Sequence, residues 1–235
     1  MKYKKELDLK IIATPPYHSS MNTQRGGAKV FSFVNPFSYE IISNDKDLIE
    51  NVDGWFVDGA LLCKLMKWKH KVEINRTSFD FSSIADSVLS CCDFNKLKVC
   101  IIGATNNELD IAMSFFRKKY RQADFCITSD GYLCNNKESS LLCDIAEKEP
   151  DVFIIGMGTP YQEKLSLKIK SLVSHDCIIY TCGGFITQTS IRDDYYYPLV
   201  KKFNLRAFQR FLSHSHVRER VIKKYPPFVI KYLLG

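Results

Sequence analysis

No run of 18 or more apolar residues occurs in the 235-residue chain, so no transmembrane helix is expected. Met1-Lys2-Tyr3-Lys4-Lys5-Glu6 is basic but is not followed by the long apolar core of a secretory signal. Cys-x-x-Cys is absent, which argues against a zinc site. The nine cysteines are odd in number, and Cys63, Cys100, Cys126 and Cys177 sit in apolar segments, so buried free thiols in a reducing cytosol are expected rather than a disulfide framework. Gly-x-Gly-x-x-Gly is absent too, which removes the dinucleotide fingerprint. There is no internal repeat and no low-complexity tract. What remains is a globular balance, 46% hydrophobic and 25% charged, enough for one large α/β domain with a small appendage.

The charge is unevenly placed. Residues 200–235 hold nine Lys/Arg against the single acid Glu219, a net +8, and the remainder of the chain is −1. A block of this kind is a solvated helix face, or it meets nucleic acid, pyrophosphate or an anionic membrane. The segment has Phe208, Phe211 and Tyr225 among its charges, as a single-strand binder has. It ends in the apolar 228–234, which better suits a membrane interface.

The central stretch is Asp151 to Glu163. Val152 to Ile155 reads as a strand buried on both faces. Gly156 and Gly158 allow a sharp turn and close approach of a ligand. Thr159 is placed to cap the next helix, with Pro160 at its first position and Gln162 and Glu163 in its first turn. The stretch is an ordinary strand–turn–helix link or half of a nucleotide site.

Around it, strands are expected at 10–14, 30–34, 55–57, 72–74 (an edge), 97–102, 125–128, 151–155 and 177–182. Helices are expected after Asn35-Pro36, then at 47–51, 60–68, 80–92, 108–120, 141–147 and 165–173, with basic amphipathic helices at 199–212 and 217–224. Residues 19–29 read as a loop, and Pro226-Pro227 as a break before the apolar tail. The β-α alternation from 97 to 185 implies a Rossmann-like, mainly parallel sheet with helices on both faces. Four strand ends carry glycine, at Gly103, Gly131, Gly156/Gly158 and Gly183/Gly184. Right-handed crossovers put these turns on one rim, where a ligand is expected. Asp58, between a short apolar strand and a helix, is either a catalytic acid–base group or a helix cap. The division is 1–29 as an N-terminal extension, 30–192 as the sheet domain and 193–235 as the basic helical appendage.

These segments carry a resemblance. Gly156-Met157-Gly158-Thr159-Pro160-Tyr161-Gln162-Glu163 is similar to the G-x-G-x-P-x-Q-E of the WecG/TagA/CpsF glycosyltransferases, and Gly183-Gly184-Phe185 to their GG-[AT]-[FY]. Ile102-Gly103 and Asp130-Gly131-Tyr132 match the family's turns. Phe56-Val57-Asp58-Gly59 resembles its P-D-G, Asn75 to Asp80 falls at its R-x-x-G-x-D, and Asn35 at the Asn of T-x-N. The motifs follow in order over roughly residues 30–225.

The resemblance implies the family's GT-E-type fold. It also implies inverting transfer of an N-acetylmannosamine-type or related sugar from a UDP-sugar to an undecaprenyl-diphosphate-type glycolipid, in surface polysaccharide synthesis. No metal or other cofactor is implied. Asp58 is then the general base. Arg76 and Gln162 line the donor pocket as catalytic residues. Asn35, Gly59, Gly103, Asp130, Gly131, Tyr132, Gly156, Gly158, Pro160, Glu163, Gly183, Gly184 and Arg210 contact substrate. The protein is expected on the cytoplasmic face of the membrane, bound peripherally through its basic C-terminal segment. A homo-oligomer stays open, and no nucleic acid is expected.

The string Asp45-Lys46-Asp47 has the Asp-x-Asp form that holds a metal in other sugar-nucleotide enzymes, but it falls in an expected helix away from the glycine rim. The family's R-A-P is replaced by Asp194-Tyr195-Tyr196-Tyr197-Pro198, its E-W-x-x-R keeps only Arg210, its P-x-R is blurred into Ser215 to Arg218, and its Thr is Phe33. These departures leave the sugar and acceptor open. The rival readings are a different nucleotide-dependent transferase on a Rossmann-like sheet and a nucleic-acid-binding protein using the basic tail.

Overall fold

The computed structural model describes residues 1–17, 26–191 and 223–234. The expected loop over most of 19–29, the helices at 199–212 and nearly all of 217–224, and Arg210 lie outside the described residues.

The strands are β1 (Lys29–Val34), β2 (Gly54–Val57), β3 (Lys98–Gly103), β4 (Asp124–Ser129), β5 (Val152–Gly156) and β6 (Ile178–Thr181). They form one sheet in the order β2-β1-β6-β5-β3-β4, and every pairing is parallel. Residues of β5 are all buried, because helices cover both faces, which is why this strand reads as an unbroken apolar run.

The helices are α1 (Lys4–Ala13), α2 (Pro36–Ile42), α3 (Lys46–Asn51), α4 (Ala60–His70), α5 (Ala85–Asn95), α6 (Asn106–Lys119), α7 (Asn135–Lys148), α8 (Tyr161–Leu172), α9 (Phe185–Ile191) and α10 (Tyr225–Leu234). One face is packed by α1 to α4, α7, α8 and α10, through residues such as Leu7, Tyr39, Ile49, Met66, Ile145, Ile169 and Phe228. The other is packed by α5, α6 and α9, through Leu89, Met113, Phe116 and Phe185. The crossover β3–α6–β4 runs one way across the sheet and lies on the second face. The crossovers through α7 and α8 run the other way and lie on the first. Opposite directions on opposite faces are what right-handed connections require.

Several local expectations change. Residues 10–14 end α1 rather than forming a strand. Leu7 and Ile11, one turn apart, are both buried, and that i, i+4 pairing outweighs the β-branched look of Ile11-Ile12. The expected edge strand at 72–74 is absent, and only an isolated parallel bridge joins Val57 to Arg76. The helix expected from Asp80 starts at Ala85, since the Asp80 carboxylate accepts from Ser82 N at 2.8 Å and holds a turn there. Thr159 is not the cap of α8. Pro160 occupies that position, with no side-chain cap. Pro226 and Pro227 do not break the chain before a tail. They are the second and third residues of α10, which follows directly on a π-helical pair at 223–224. All nine cysteines are free thiols, with Cys92, Cys100, Cys177 and Cys182 buried and Cys134 and Cys143 exposed.

The tail is docked. Asp8 of α1 is fully buried. Its Oδ1 accepts from the hydroxyls of Tyr39 at 2.5 Å and Tyr232 at 3.1 Å. Its Oδ2 meets His70 Nε2 at 2.7 Å and Lys69 Nζ at 3.3 Å. Lys4 Nζ donates to the Tyr232 carbonyl at 3.0 Å. Burial and the neighbouring Asp8 push both phenols well above the ordinary tyrosine range. One carboxylate therefore joins α1, α2, α4 and α10. Removing one partner of a buried charge pair leaves the others desolvated and uncompensated. Asp8→Ala is expected to lower unfolding free energy by about 3 kcal/mol and Tyr232→Phe by about 1 kcal/mol, read as urea midpoints at constant m. Equal, negligible shifts in both would mean that the cluster contributes no stability.

Candidate active site

The carboxyl ends of the six strands form one rim. Backbones meet there at glycine for a steric reason. A Cβ on Gly103 would lie 2.4 Å from the Gly156 carbonyl oxygen, and a Cβ on Gly156 would lie 2.6 Å from that of Gly183. The ends of β3, β5 and β6 can touch only if these side chains are hydrogen. Gly131, at the end of β4, continues the row, with a hypothetical Cβ 3.2 Å from Gly103 Cα. Gly158 has φ +78 with nothing within 4 Å of its Cβ position, so it is a left-handed turn residue with open space beside its backbone. The turn after β3 leads to the second face and the turn after β5 to the first. Such a divergence between adjacent strands opens a crevice where α/β sheets bind ligands.

Beneath the glycine turns lies a buried polar network. Glu163 in α8 has no exposed surface. Its Oε1 accepts from Ser32 Oγ at 2.9 Å, Gln162 Nε2 at 2.9 Å and Thr159 Oγ1 at 3.2 Å. Ser32 Oγ also lies 2.8 Å from Thr181 Oγ1. The other carboxyl oxygen has no hydrogen-bond partner. Burial raises the Glu163 carboxyl above its ordinary range, against the opposing pull of these hydrogen bonds. Gln162 is buried as well, and its Oε1 accepts from Gly183 N at 3.1 Å. Its amide thus ties the turn after β5 to the turn after β6. Gln162 and Glu163 lie under the glycine turns as internal ties. Ser32 and Thr181 belong to the same network and escaped the sequence reading. Their signal was a hydroxyl within a strand otherwise built of apolar residues.

The charged group of the rim is at its other end. The chain leaves β2 at Asp58, whose N–H donates to the Val34 carbonyl at 2.8 Å, and turns through Gly59 at φ +142 into α4. Arg76 comes alongside because its bridge to Val57, with Thr77 N donating to the Val57 carbonyl at 2.9 Å, extends the sheet edge by one residue. Arg76 Nη2 sits 3.0 Å from Asp58 Oδ1 and 3.2 Å from Asp80 Oδ2. Asp80 is buried and braced by Ser78 Oγ at 3.0 Å and by the N–H and hydroxyl of Ser82. Asp58 and Arg76 each keep about a quarter of their side chain exposed, 24% and 26%. A fixed inner carboxylate thus holds an arginine against an outer, accessible one.

The remaining candidates divide. Asn35 ends β1 and caps α2, its Oδ1 accepting from Phe37 N at 3.0 Å and Ser38 N at 3.1 Å. Asp130 is buried at the end of β4, accepting from Tyr132 N at 2.8 Å and from Lys137 Nζ. Burial alone would raise its carboxyl, but Lys137, the Tyr132 amide and Asn106 hold it below the usual range. The Tyr132 ring is 73% exposed above that turn. Gly184 follows Gly183 at the start of α9. Asp45 caps α3 by accepting from Leu48 N at 3.2 Å, and Asp47 accepts from Asn51 Nδ2 at 2.8 Å. Both carboxylates are thus engaged in and beside their own helix. Among the described residues no three His, Cys, Asp or Glu side chains gather as a metal-binding group.

Comparison with known proteins adds to this geometry. The sequence model described as "Glycosyl transferase WecG/TagA/CpsF family" matches residues 17–235. The chain is 38% identical over 227 residues, 97% of its length and 94% of the relative's, to a protein of Shigella boydii named UDP-Gal:alpha-D-GlcNAc-diphosphoundecaprenol beta-1,4-galactosyltransferase. The chain belongs to the WecG/TagA/CpsF family. It is accordingly a glycosyltransferase. The WecG/TagA/CpsF motifs coincide with the physical features of the rim. Gln162 and Glu163 are the buried tie, Gly183 and Gly184 the turn it holds, and Asp58 and Asp80 the two carboxylates on Arg76, although the Arg of R-x-x-G-x-D itself falls at Asn75.

The raised carboxyl of Glu163 has a consequence for stability. Its folded-state value lies above the unfolded one, so its contribution is fully present below the unfolded value, near 4.5, and is lost as pH rises through the folded value. Glu163→Gln keeps the accepting oxygen and cannot ionise. Urea unfolding from pH 4 to pH 8 should show the variant gaining on the natural protein as pH rises. A difference that is flat or falls with pH would contradict the burial of an ionisable group at this point.

Proposed function

We propose that the protein transfers a hexose, with inversion, from a UDP-sugar to a sugar hydroxyl carried on a diphosphoundecaprenol-type lipid, in surface polysaccharide synthesis. Galactose is the first sugar to test, because the Shigella boydii relative is named for UDP-Gal and for an alpha-D-GlcNAc-diphosphoundecaprenol acceptor. An N-acetylmannosamine-type donor, known from the wider family, is the second. The observation that supports the chemistry best is the Asp58–Arg76–Asp80 group at one end of a glycine-lined rim.

Asp58 is the proposed base. It takes the proton of the acceptor hydroxyl as that oxygen bonds to C1 of the sugar and the bond from C1 to the diphosphate breaks. The departing UDP gathers negative charge, and Arg76 together with backbone N–H groups of the turns after β5 and β6, other than the Gly183 N–H that Gln162 holds, is the proposed source of stabilisation. Three strand spacings separate β2 from β5, about 14 Å, which gives room for a hexose and a diphosphate along the rim. Gln162 and Glu163 position those turns from below. Arg210 is proposed as a further cation for the diphosphate, and no metal is proposed to be needed. The basic C-terminal segment is the proposed route to a peripheral position on an anionic membrane. Among the described residues no helix is long and apolar enough to cross a membrane.

Asp58→Asn should lower turnover by ~10²–10⁴-fold with UDP-sugar binding nearly unchanged, measured by mass spectrometry of the product and calorimetry of the donor. Near-normal turnover would remove Asp58 from the mechanism. Activity is also expected to survive EDTA. Loss with EDTA and recovery with Mn²⁺ or Mg²⁺ would require a metal in the reaction. In a panel of UDP-galactose, UDP-N-acetylglucosamine and UDP-N-acetylmannosamine on a lipid-diphosphate-GlcNAc acceptor, galactose should give the highest kcat/KM.

A further inference from the structure

Helix α4 leaves the rim directly after Asp58 and Gly59. Its inward residues are Leu62 and Met66, both fully buried. Lys64, Lys67, Trp68 and Lys71, which ends the helix as its cap, recur at the i, i+3, i+4, i+7 spacing of one helical stripe and are exposed. Residues 60–71 contain four lysines and His70 and no acid. Trp68 is 62% exposed, whereas Trp55 has no exposed surface. The Lys71 ammonium lies 5.8 Å from the Trp68 ring centre, so the aromatic surface carries positive charge beside it. Lys67 meets an exposed acid, Glu73, at 3.1 Å.

The neighbouring α10 is largely apolar. Phe228 and Tyr232 face the core, and Ile230, Leu233 and Leu234 are 58%, 37% and 85% exposed. Lys231, the charge within it, is exposed and pairs with Glu40 of α2. Lys223 and Lys224 precede it and are exposed. The two helices share a layer, because Lys69 of α4 lies 4.8 Å over the Tyr232 ring of α10.

We infer that the outward stripe of α4, together with the outward face of α10, is a surface that binds an anionic lipid bilayer. Trp68 and the apolar residues of α10 enter the interface, and Lys64, Lys67 and Lys71 pair with lipid phosphates. The inference extends the proposed function from the basic C-terminal segment to the body of the protein. It rests on the reading that the acceptor is a lipid. A strongly basic stripe with one aromatic suits this occupant better than a second copy of the chain, whose identical stripe would bring lysine against lysine. Tryptophan beside lysine on an apolar-rich face is the composition of membrane interfaces.

The two tryptophans allow a direct test with the full-length protein. Titration with phosphatidylglycerol-containing vesicles should shift Trp68 emission to the blue and shield it from iodide, and Trp68→Phe should abolish the shift. The triple variant Lys64→Gln, Lys67→Gln, Lys71→Gln should bind these vesicles on the order of 10²-fold more weakly, at about a factor of five for each lysine. It should keep its turnover on a short-chain, detergent-free acceptor analogue. No blue shift, with vesicle binding unchanged in the triple variant, would overturn the inference. So would equal competition by an oligonucleotide for the Trp68 signal, or a dimer in sedimentation that the triple variant disrupts. Asp58→Asn vesicle binding separates the two readings: inactive but normally bound protein supports both, and active, normally bound protein removes the catalytic reading alone.

Discussion

A buried carboxyl group holds the glycine rim together. Glu163 Oε1 gathers hydrogen bonds from Ser32 on β1, Thr159 in the turn after β5 and Gln162 on α8, and Ser32 is in turn bonded to Thr181 on β6. Gln162 extends the reach to the Gly183 amide. Taking a carboxyl out of water costs several kcal/mol, and three hydrogen bonds to one oxygen offset only part of that, with the second oxygen unpartnered. The return is geometric. Gly156 sits between Gly103 and Gly183 with no space for a methyl group on either side. Strand ends packed that closely have little room to shift, and the network ties the β6 turn to α8 and to β1.

The parts of this arrangement legible in the sequence were those where one residue type has one physical use. Glycine at the ends of apolar runs announced the rim, and the β-α alternation announced a parallel sheet. Asp58 stood out as an acid between a buried strand and a helix. The parts that were not legible depend on partners distant in the chain. Ser32 and Thr181 are 149 residues apart, and neither has meaning until β1 and β6 are known to be neighbours. Lys10 to Thr14 was misread for the same reason. Its helical state follows from the burial of Leu7 and Ile11 one turn apart, against elements that are distant in the chain. The prolines of α10 read as a break because a first-turn proline and a terminating proline look alike without the docking surface for Phe228.

The placement of charge distinguishes the two carboxylates near Arg76. Asp80 is buried and saturated by Ser78 and Ser82, so it is suited to hold the arginine and has little freedom to accept another proton donor. Asp58 is the more accessible and makes its ion pair through Oδ1. On the proposed mechanism this asymmetry assigns the roles. The inner acid orients the guanidinium, and the outer one receives the acceptor proton. On the same reading the guanidinium, held by the inner acid, supplies positive charge beside the base at the β2 end of the rim.

Helix α4 gives this chemistry its direction. It begins two residues after Asp58, and its other end, at Lys69 and His70, is tied to Asp8 with α1, α2 and α10. Lys64 is only four residues, about 6 Å of helix axis, from the start of the helix. A rigid rod fixed at the rim and at the Asp8 cluster cannot tilt independently of either. If its outer stripe lies on a bilayer, the proposed base is held at a set height above the lipid phosphates. A diphosphate-linked sugar is anchored at those phosphates and reaches a limited distance from them. Position on the membrane and reach to the reacting hydroxyl are then one constraint, set by the length of α4 rather than by any contact with the lipid chain.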